Sequence, residues 1–95
     1  MNNQIIKLEF AKDLSKLAGN RFGRTIYETQ VKDRINFNDK IVFVFPEALD
    51  RVASSFVQGF FDDIMMQLGL AGIKEKVFFE SSIVDLKEFV LENLG

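Results

Sequence analysis

Ile41-Val42-Phe43-Val44-Phe45 is an unbroken run of five β-branched and aromatic residues, and it decides the fold. Such residues favour strands, and a run without polar alternation predicts a strand that is covered on both faces. Pro46 ends this strand, because proline has no backbone N–H to donate to a neighbouring strand. We therefore expect a central strand that lies between other layers, with the remaining elements arranged around it.

The segment after this strand carries apolar residues at helical spacing. From Phe56 to Leu68 they form two adjoining rows, Phe56-Phe60-Ile64-Leu68 and Val57-Phe61-Met65. A stripe this wide is typical of a helix that packs against a sheet. Ser55 with Gln58 predicts a capping box at the start of the helix. Gly69 and Gly72 predict its end, since glycine readily adopts the left-handed conformation that closes helices.

A strand and a helix are also predicted before the central strand. Ile6 and Leu8 alternate with charged residues, which predicts a strand with one solvent-exposed face. A polar, glycine-rich loop follows. Thr25 with Glu28 then predicts a capping box, and with it the start of a helix that runs to about residue 36.

The end of the chain repeats the same order. Val77-Phe78-Phe79 predicts a third strand, and Ser82 with Asp85 predicts the start of a third helix. Right-handed crossovers would place the later strands parallel in one sheet. The sequence therefore predicts a single α/β domain over residues 1–95, with a small, mainly parallel or mixed sheet and three helices. The pattern leaves open whether the first strand is antiparallel at an edge.

Composition excludes several classes of function. The net charge is −2, without the basic excess of a nucleic-acid-binding protein, so we expect no nucleic acid partner. The chain has no histidine and no cysteine, which removes the commonest general base and all thiolate metal ligands. Asp62 and Asp63 are adjacent, so on a helix they diverge by about 100° and cannot act as a catalytic pair. We expect no enzymatic activity, no metal and no cofactor.

The sequence also bears on localisation. Met1-Asn2-Asn3-Gln4 lacks the basic region and the apolar run of a signal peptide. No apolar stretch approaches the roughly 18 residues of a membrane span. We therefore expect a cytoplasmic protein with no membrane partner.

Ser54 and Ser55 stand between the central strand and the second helix. Partners and ligands usually bind at the carboxyl edge of an α/β sheet, where this turn should lie. We predict a protein-docking surface that comprises both serines with Gln58, Arg51 and Glu47. Ser54 is also the candidate phosphorylation site, since a helix N-terminus favours a phosphate whose charge could release a partner. Simple capping of the helix by the serines is the alternative.

A second candidate site precedes the first predicted helix. Arg21, Arg24 and Thr25 could hold an anion at the helix N-terminus. A solvated loop whose charges serve solubility is the alternative.

Two further features predict close contacts. Gly59 lies in the middle of a predicted helix, where glycine costs up to about 1 kcal/mol relative to alanine. Close approach of another backbone, from this domain or from a partner, would compensate. The eleven phenylalanines either fill the core or lie in part at an interface, and the second alternative would make the protein a homodimer.

Residues 41–61 resemble the STAS domain, the module of sulfate transporters and anti-sigma-factor antagonists. In that family a buried strand leads to an Asp-Ser-Ser/Thr-Gly segment that opens a helix, and Ala53-Ser54-Ser55-Phe56 stands in its place here. The Ser-Phe pair is similar to the small bacterial and phage-associated STAS-like domains of unknown function, which share a Gly/Arg-containing start of the first helix, here residues 21–25.

The resemblance implies a STAS-like fold and a regulatory role that depends on protein binding. It places Ser54 at the position that accepts phosphate from a partner kinase, and it implies a regulatory kinase or ATPase as partner. Ala53 replaces the family's acid and Phe56 its glycine, so a kinase that reads those residues would not recognise this segment. A phage or mobile-element effector that binds and inhibits a host enzyme is the alternative function.

Overall fold

Three parallel strands form the sheet at the centre of the protein, of which the computed structural model describes residues 3–95. In chain order the elements are β1 (Asn3–Lys7), β2 (Lys16–Leu17), α1 (Asn20–Ile26) with a π-helical turn (Tyr27–Val31), β3 (Lys40–Val44), β4 (Arg51–Val52), α2 (Ser54–Phe60), α3 (Asp62–Lys76), β5 (Val77–Glu80) and α4 (Leu86–Leu94). The short strands β2 and β4 pair in parallel outside the main sheet.

The strand order of the main sheet is β1-β3-β5. The prediction of a parallel α/β domain with β3 at its centre is confirmed, and β1 is a parallel edge strand. Residues 3–95 contain four helices where three were predicted. The additional helix arises because the predicted second helix is interrupted at Phe61, whose φ of −94° and ψ of 6° separate α2 from α3.

The predicted helix ends are mostly wrong. The first helix begins at Asn20, five residues before Thr25, because Gly19 at φ 104° turns the chain into it. Thr25 therefore lies inside α1, and no side chain caps that helix. The predicted helix end at Gly69 is confirmed, since its φ of 70° and ψ of 172° are non-helical and divide α3 into two helical segments, of which the second continues to Lys76. The last helix begins at Leu86 and likewise has no side-chain cap.

Helices α1, α2 and α3 pack on one face of the sheet, whereas α4 also reaches the other face, where the ammonium of Lys87 lies 3.9 Å from the ring centroid of Phe78. The two crossovers step in the same direction along β1-β3-β5, so right-handed connections bring α1, α2 and α3 to the same side. The last helix packs on α2 and α3. On that face Ile41 and Phe43 are fully buried, whereas Val42 on the other face is only half-buried. The prediction that β3 is covered on both faces is therefore confirmed for one face, and residues 3–95 cover the other face in part.

Most of the phenylalanines lie in the core between the helices and the sheet. The ring of Phe60 is central, since its centroid lies 5.0–6.0 Å from the rings of Phe43, Phe56, Phe61 and Tyr27. Phe22, at 36% exposure, is the one phenylalanine among the exposed large hydrophobic residues. The aromatic surplus is thus a packing feature, and the phenylalanines do not form the surface patch on which the homodimer prediction rested. No helix within residues 3–95 combines the length and apolar character that a membrane span requires.

Candidate functional site

The predicted docking surface lies on the segment that joins β3 to α2, and this segment is anchored on both sides. Leu49 is fully buried beneath it. On one side the backbone N–H of Asp50 donates to Ser15 (2.8 Å), and that of Ala53 donates to Leu17 (2.8 Å). On the other side the Ser82 hydroxyl lies within hydrogen-bond distance of the carbonyl oxygens of residues 47 (3.0 Å) and 49 (2.8 Å). These contacts hold the backbone of residues 47–53 in place.

The structure exposes most side chains of this surface. Glu47, Arg51, Ser54 and Gln58 are exposed, and Ser55 is half-buried. Ser54 is the first residue of α2. The predicted surface is therefore geometrically accessible at the start of α2.

Ser55 has a structural role that differs from the predicted one. Its hydroxyl oxygen accepts a hydrogen bond from the backbone N–H of Gly19 (2.9 Å) and thereby links the start of α2 to the start of α1. No side chain caps α2, so the predicted capping box with Gln58 is wrong. The two serines are thus distinct: the hydroxyl of Ser55 is engaged within the fold, and that of Ser54 is accessible.

Glycines allow α1 and α2 to touch through their backbones. A Cβ added at Gly59 would overlap the carbonyl oxygen of Asn20 and lie 2.8 Å from its carbonyl carbon. A Cβ added at Gly23 would overlap the carbonyl oxygen of Phe56 and lie 2.7 Å from the N atom of Phe60. The expected close approach at Gly59 is therefore present, and it comes from within the domain.

The residues of the predicted anion site lie at different positions relative to the first helix than the sequence predicted. Arg21, Arg24 and Thr25 lie within α1 instead of preceding it, and all three are exposed. The Nη1 atom of Arg24 lies 3.1 Å from the Oδ2 atom of Asp62, and its Nε donates to Asn20 (3.1 Å). The guanidinium of Arg24 is thus already bound to a carboxylate, and of the three residues only Arg21 lies in the first turn of α1.

A cleft of about 220 Å³ between α1 and α3 was missed by the sequence analysis. Arg24 and Tyr27 line one wall, and Asp62, Asp63 and Met66 line the other. Tyr27 is 4% exposed, and its hydroxyl donates a part-buried hydrogen bond to Asp63, beside the pair of Arg24 and Asp62. The two adjacent aspartates therefore bind two different partners, one on α1 and one at the start of the π-helical turn that follows it. In the sequence, only the three-residue spacing of Arg24 and Tyr27 indicates that these two side chains lie on the same face of a helix.

Burial and the hydrogen bond to Asp63 raise the pKa of Tyr27 above its ordinary value of 10.0. Below about pH 10 the phenol is neutral in the folded and the unfolded chain, and its contribution to stability is fully present. Above that pH the unfolded chain loses the proton while the folded chain retains it, so the stability falls.

Tyr27 is the only tyrosine and tryptophan is absent, so the tyrosinate absorbance reports this one residue. We expect the native protein to titrate at higher pH than the protein unfolded in urea. Coincident titration curves would contradict the buried hydrogen bond. The alkaline loss of stability should also be smaller in Tyr27→Phe, in which there is no phenol to ionise.

The described residues, 3–95, contain no group of three carboxylate, histidine or cysteine side chains placed to hold a metal ion. When the chain was compared with protein-family models, curated proteins and solved structures, none matched.

Proposed function

We propose that this chain is a non-enzymatic interaction domain that binds a cytoplasmic protein through the docking surface at the start of α2. The observation that carries the proposal is the exposure of Glu47 and Arg51 on the anchored segment 47–53 and of Ser54 and Gln58 on the first turns of α2. A surface that is already ordered before binding loses little conformational entropy in the complex. Residues 47–53 meet that condition through their hydrogen bonds to residues 15, 17 and 82.

The chemistry of this surface favours a polar, charged partner surface. Glu47 and Arg51 present opposite charges, and Ser54 and Gln58 present hydrogen-bonding groups. Polar groups at the rim of an interface set specificity and the rate of association. The resemblance to STAS domains supports a regulatory kinase or ATPase as the partner.

Ser54 is the proposed switch residue on this surface. Its exposed hydroxyl is accessible to a kinase, whereas Ser55 is held by Gly19. A phosphate on Ser54 would add about two negative charges to the docking surface and thereby disfavour an acidic partner surface. Because Ser54 is exposed, the phosphate would not disturb the core. We therefore expect phosphorylation to lower the affinity for the partner without lowering the stability of the fold.

The test compares two exposed glutamates that receive the same substitution. Glu47→Lys changes the docking surface, and Glu75→Lys is the matched control near the end of α3. Tagged wild type, both variants and Ser54→Asp are used for quantitative capture from the source cells. The captured protein is then purified and titrated.

We expect Glu47→Lys and Ser54→Asp to weaken the affinity for that protein by about tenfold or more, since changing one charge at an interface costs on the order of 1–2 kcal/mol. Glu75→Lys should bind like the wild type, and all three variants should melt within a few degrees of it. Equal binding by wild type, Glu47→Lys and Ser54→Asp would refute the docking surface. A captured nuclease or other defence enzyme would favour inhibition of a host enzyme over regulation.

A further inference from the structure

The outer edge of β1 carries backbone groups that pair with no other residue in the described part of the chain. β1 lies at one end of the strand order β1-β3-β5, so only its inner edge meets another strand of the sheet. The backbone N–H of Leu8 donates to the carbonyl oxygen of Val44 (2.9 Å), so the even-numbered residues of β1 bond to β3. Backbone groups alternate between the two edges of a strand, and those of Asn3, Ile5 and Lys7 therefore point outward.

A side chain of the protein itself pairs with the next outward position, at Glu9. The backbone N–H of Glu9 donates to the Oε1 atom of Gln30 (2.8 Å), and the Nε2 atom of Gln30 donates to the carbonyl oxygen of Glu9 (2.8 Å). The amide of Gln30 thus binds Glu9 as a residue of a neighbouring strand would. This contact confirms that the odd-numbered residues face outward. The exposed carboxylate of Glu9 lies beyond Asn3, Ile5 and Lys7, which we call the β1 edge.

The β1 edge lacks most of the features that keep an exposed strand from pairing with another chain. Such features include proline, bulges and several charged side chains. β1 contains no proline, its register with β3 is continuous, and Lys7 is its one charged residue. Ile5, at the middle of the strand, is 62% exposed. An added strand would pair the outward backbone groups and remove the side chain of Ile5 from water.

Charges on the sheet indicate which kind of strand fits. On the face opposite α1, α2 and α3, Lys7 and Lys40 are the only charged residues of β1 and β3. The ammonium groups of Lys40 and Lys87 lie 5.6 Å and 3.9 Å from the ring centroid of Phe78 on β5. The one carboxylate on the three strands is Glu80, which lies on β5 at the opposite side of the sheet. The surroundings of the β1 edge are therefore positive and favour an incoming strand that carries carboxylates.

We propose that an extended, acidic segment of a partner protein binds as a fourth strand beside β1. Its backbone pairs with the β1 edge, an apolar side chain covers Ile5, and carboxylates lie near Lys7 and Lys40. Backbone pairing supplies affinity, and the alternating apolar and acidic side chains supply specificity. The β1 edge shares no residue with the docking surface at the start of α2, so the two proposals can fail independently.

A second copy of this chain fits the β1 edge less well than an acidic segment. Two β1 strands could pair antiparallel about Ile5, which would place Lys7 beside Asn3 of the second copy. That arrangement supplies no carboxylate, and it brings a second Lys7 and a second Lys40 to the same face. Sedimentation velocity distinguishes the two occupants. Reversible dimerisation of the wild type that is abolished in Ile5→Pro would assign the edge to a second copy and overturn the proposal.

Amide-resolved hydrogen exchange tests whether the edge is unpaired in the free protein. We expect the amides of Ile5 and Lys7 to exchange at least about tenfold faster than those of Ile6 and Leu8, which bond to β3. The four amides belong to one short segment, so unfolding of the whole strand would affect them equally. Equal protection of all four would contradict an unpaired outer edge.

The binding test uses random peptides long enough to form one strand, displayed on phage and selected on the wild-type chain. We expect the enriched peptides to alternate apolar and acidic residues. When bound, they should slow the exchange of the amides of Ile5 and Lys7 about tenfold or more. The proposal would be overturned if no peptide were enriched, if the enriched peptides were basic, or if they left these two amides unprotected.

Three variants identify the site at which the enriched peptides bind. Ile5→Pro removes an outward N–H and leaves the hydrogen bonds to β3 in place, so the domain should fold and bind peptide about tenfold more weakly or worse. Lys7→Glu should weaken binding about tenfold through charge repulsion. Lys16→Glu is the matched control, because Lys16 is exposed on β2, outside the main sheet, and it should bind like the wild type. Equal binding by the wild type, Ile5→Pro and Lys7→Glu would overturn the proposal.

Discussion

Gly59→Ala is expected to lower the free energy of unfolding by at least about 3 kcal/mol. In an ordinary helix the same substitution would stabilise by up to about 1 kcal/mol, because alanine has the higher helix propensity. Here the new Cβ would overlap the carbonyl oxygen of Asn20, which belongs to a backbone that cannot yield without moving the start of α1. For a domain of this size the expected loss lowers the melting temperature by roughly 12 °C or more.

Gln58→Ala is the control for this substitution. Gln58 precedes Gly59 on α2 and is exposed, so its truncation should change the free energy of unfolding by less than about 0.5 kcal/mol. Thermal and urea denaturation of the three proteins give the comparison. A Gly59→Ala variant that is as stable as the wild type would show that α1 and α2 do not touch through their backbones.

Phe60→Ala is expected to cost about 3–5 kcal/mol, the range for removal of a fully buried aromatic ring. Phe60 is fully buried, and its ring meets those of four other aromatic residues. Loss of the ring would leave a cavity between α2 and β3 that these rigid neighbours cannot fill.

The matched control for this cavity is Phe22→Ala. Phe22 is 36% exposed and lies near only two aromatic rings, those of Phe10 and Phe56. Its truncation should cost about 1 kcal/mol, since less apolar area leaves water on folding. Urea denaturation with both variants measures the difference. Equal losses in the free energy of unfolding for Phe60→Ala and Phe22→Ala would show that the ring of Phe60 does not lie at the centre of the core.

The strands could be predicted from the sequence because their signals are local. The run from Ile41 to Phe45 identified the central strand, and alternation at Ile6 and Leu8 identified β1. The covering of the second face could not be predicted in this way. A continuous apolar run shows that a strand avoids water, and it does not show how far the chain covers each of its two faces.

Helix ends depended on contacts between distant segments. The hydroxyl of Ser55 binds Gly19, thirty-six positions earlier, so the capping box with Gln58 does not form. A capping box is identified from residues that are close in the sequence. It carries no information about a distant backbone N–H that binds the same hydroxyl in the folded protein. The start of α1 was missed for a related reason, since the glycines around Asn20 indicate a loop until α2 packs against them.

The candidate site was predicted in part. The sequence placed Ser54 and Gln58 at the start of a helix beyond the central strand, and both are exposed there. It could not identify the cleft of Tyr27 and Asp63, because that cleft arises from the crossing of two helices whose facing residues are thirty-six positions apart. Which residues face each other across two helices depends on the crossing geometry, which periodicity alone does not determine.

Site-specific photo-crosslinking in the source cells tests the docking surface most directly. A photoreactive amino acid is placed at position 58 on the docking surface and, as a control, at position 75 near the end of α3, where Gln58 and Glu75 are both exposed. The docking proposal predicts a discrete crosslinked protein from position 58 that is absent from position 75 and is lost in the background of Ser54→Asp. Identical crosslinks from both positions, or none from position 58, would contradict it.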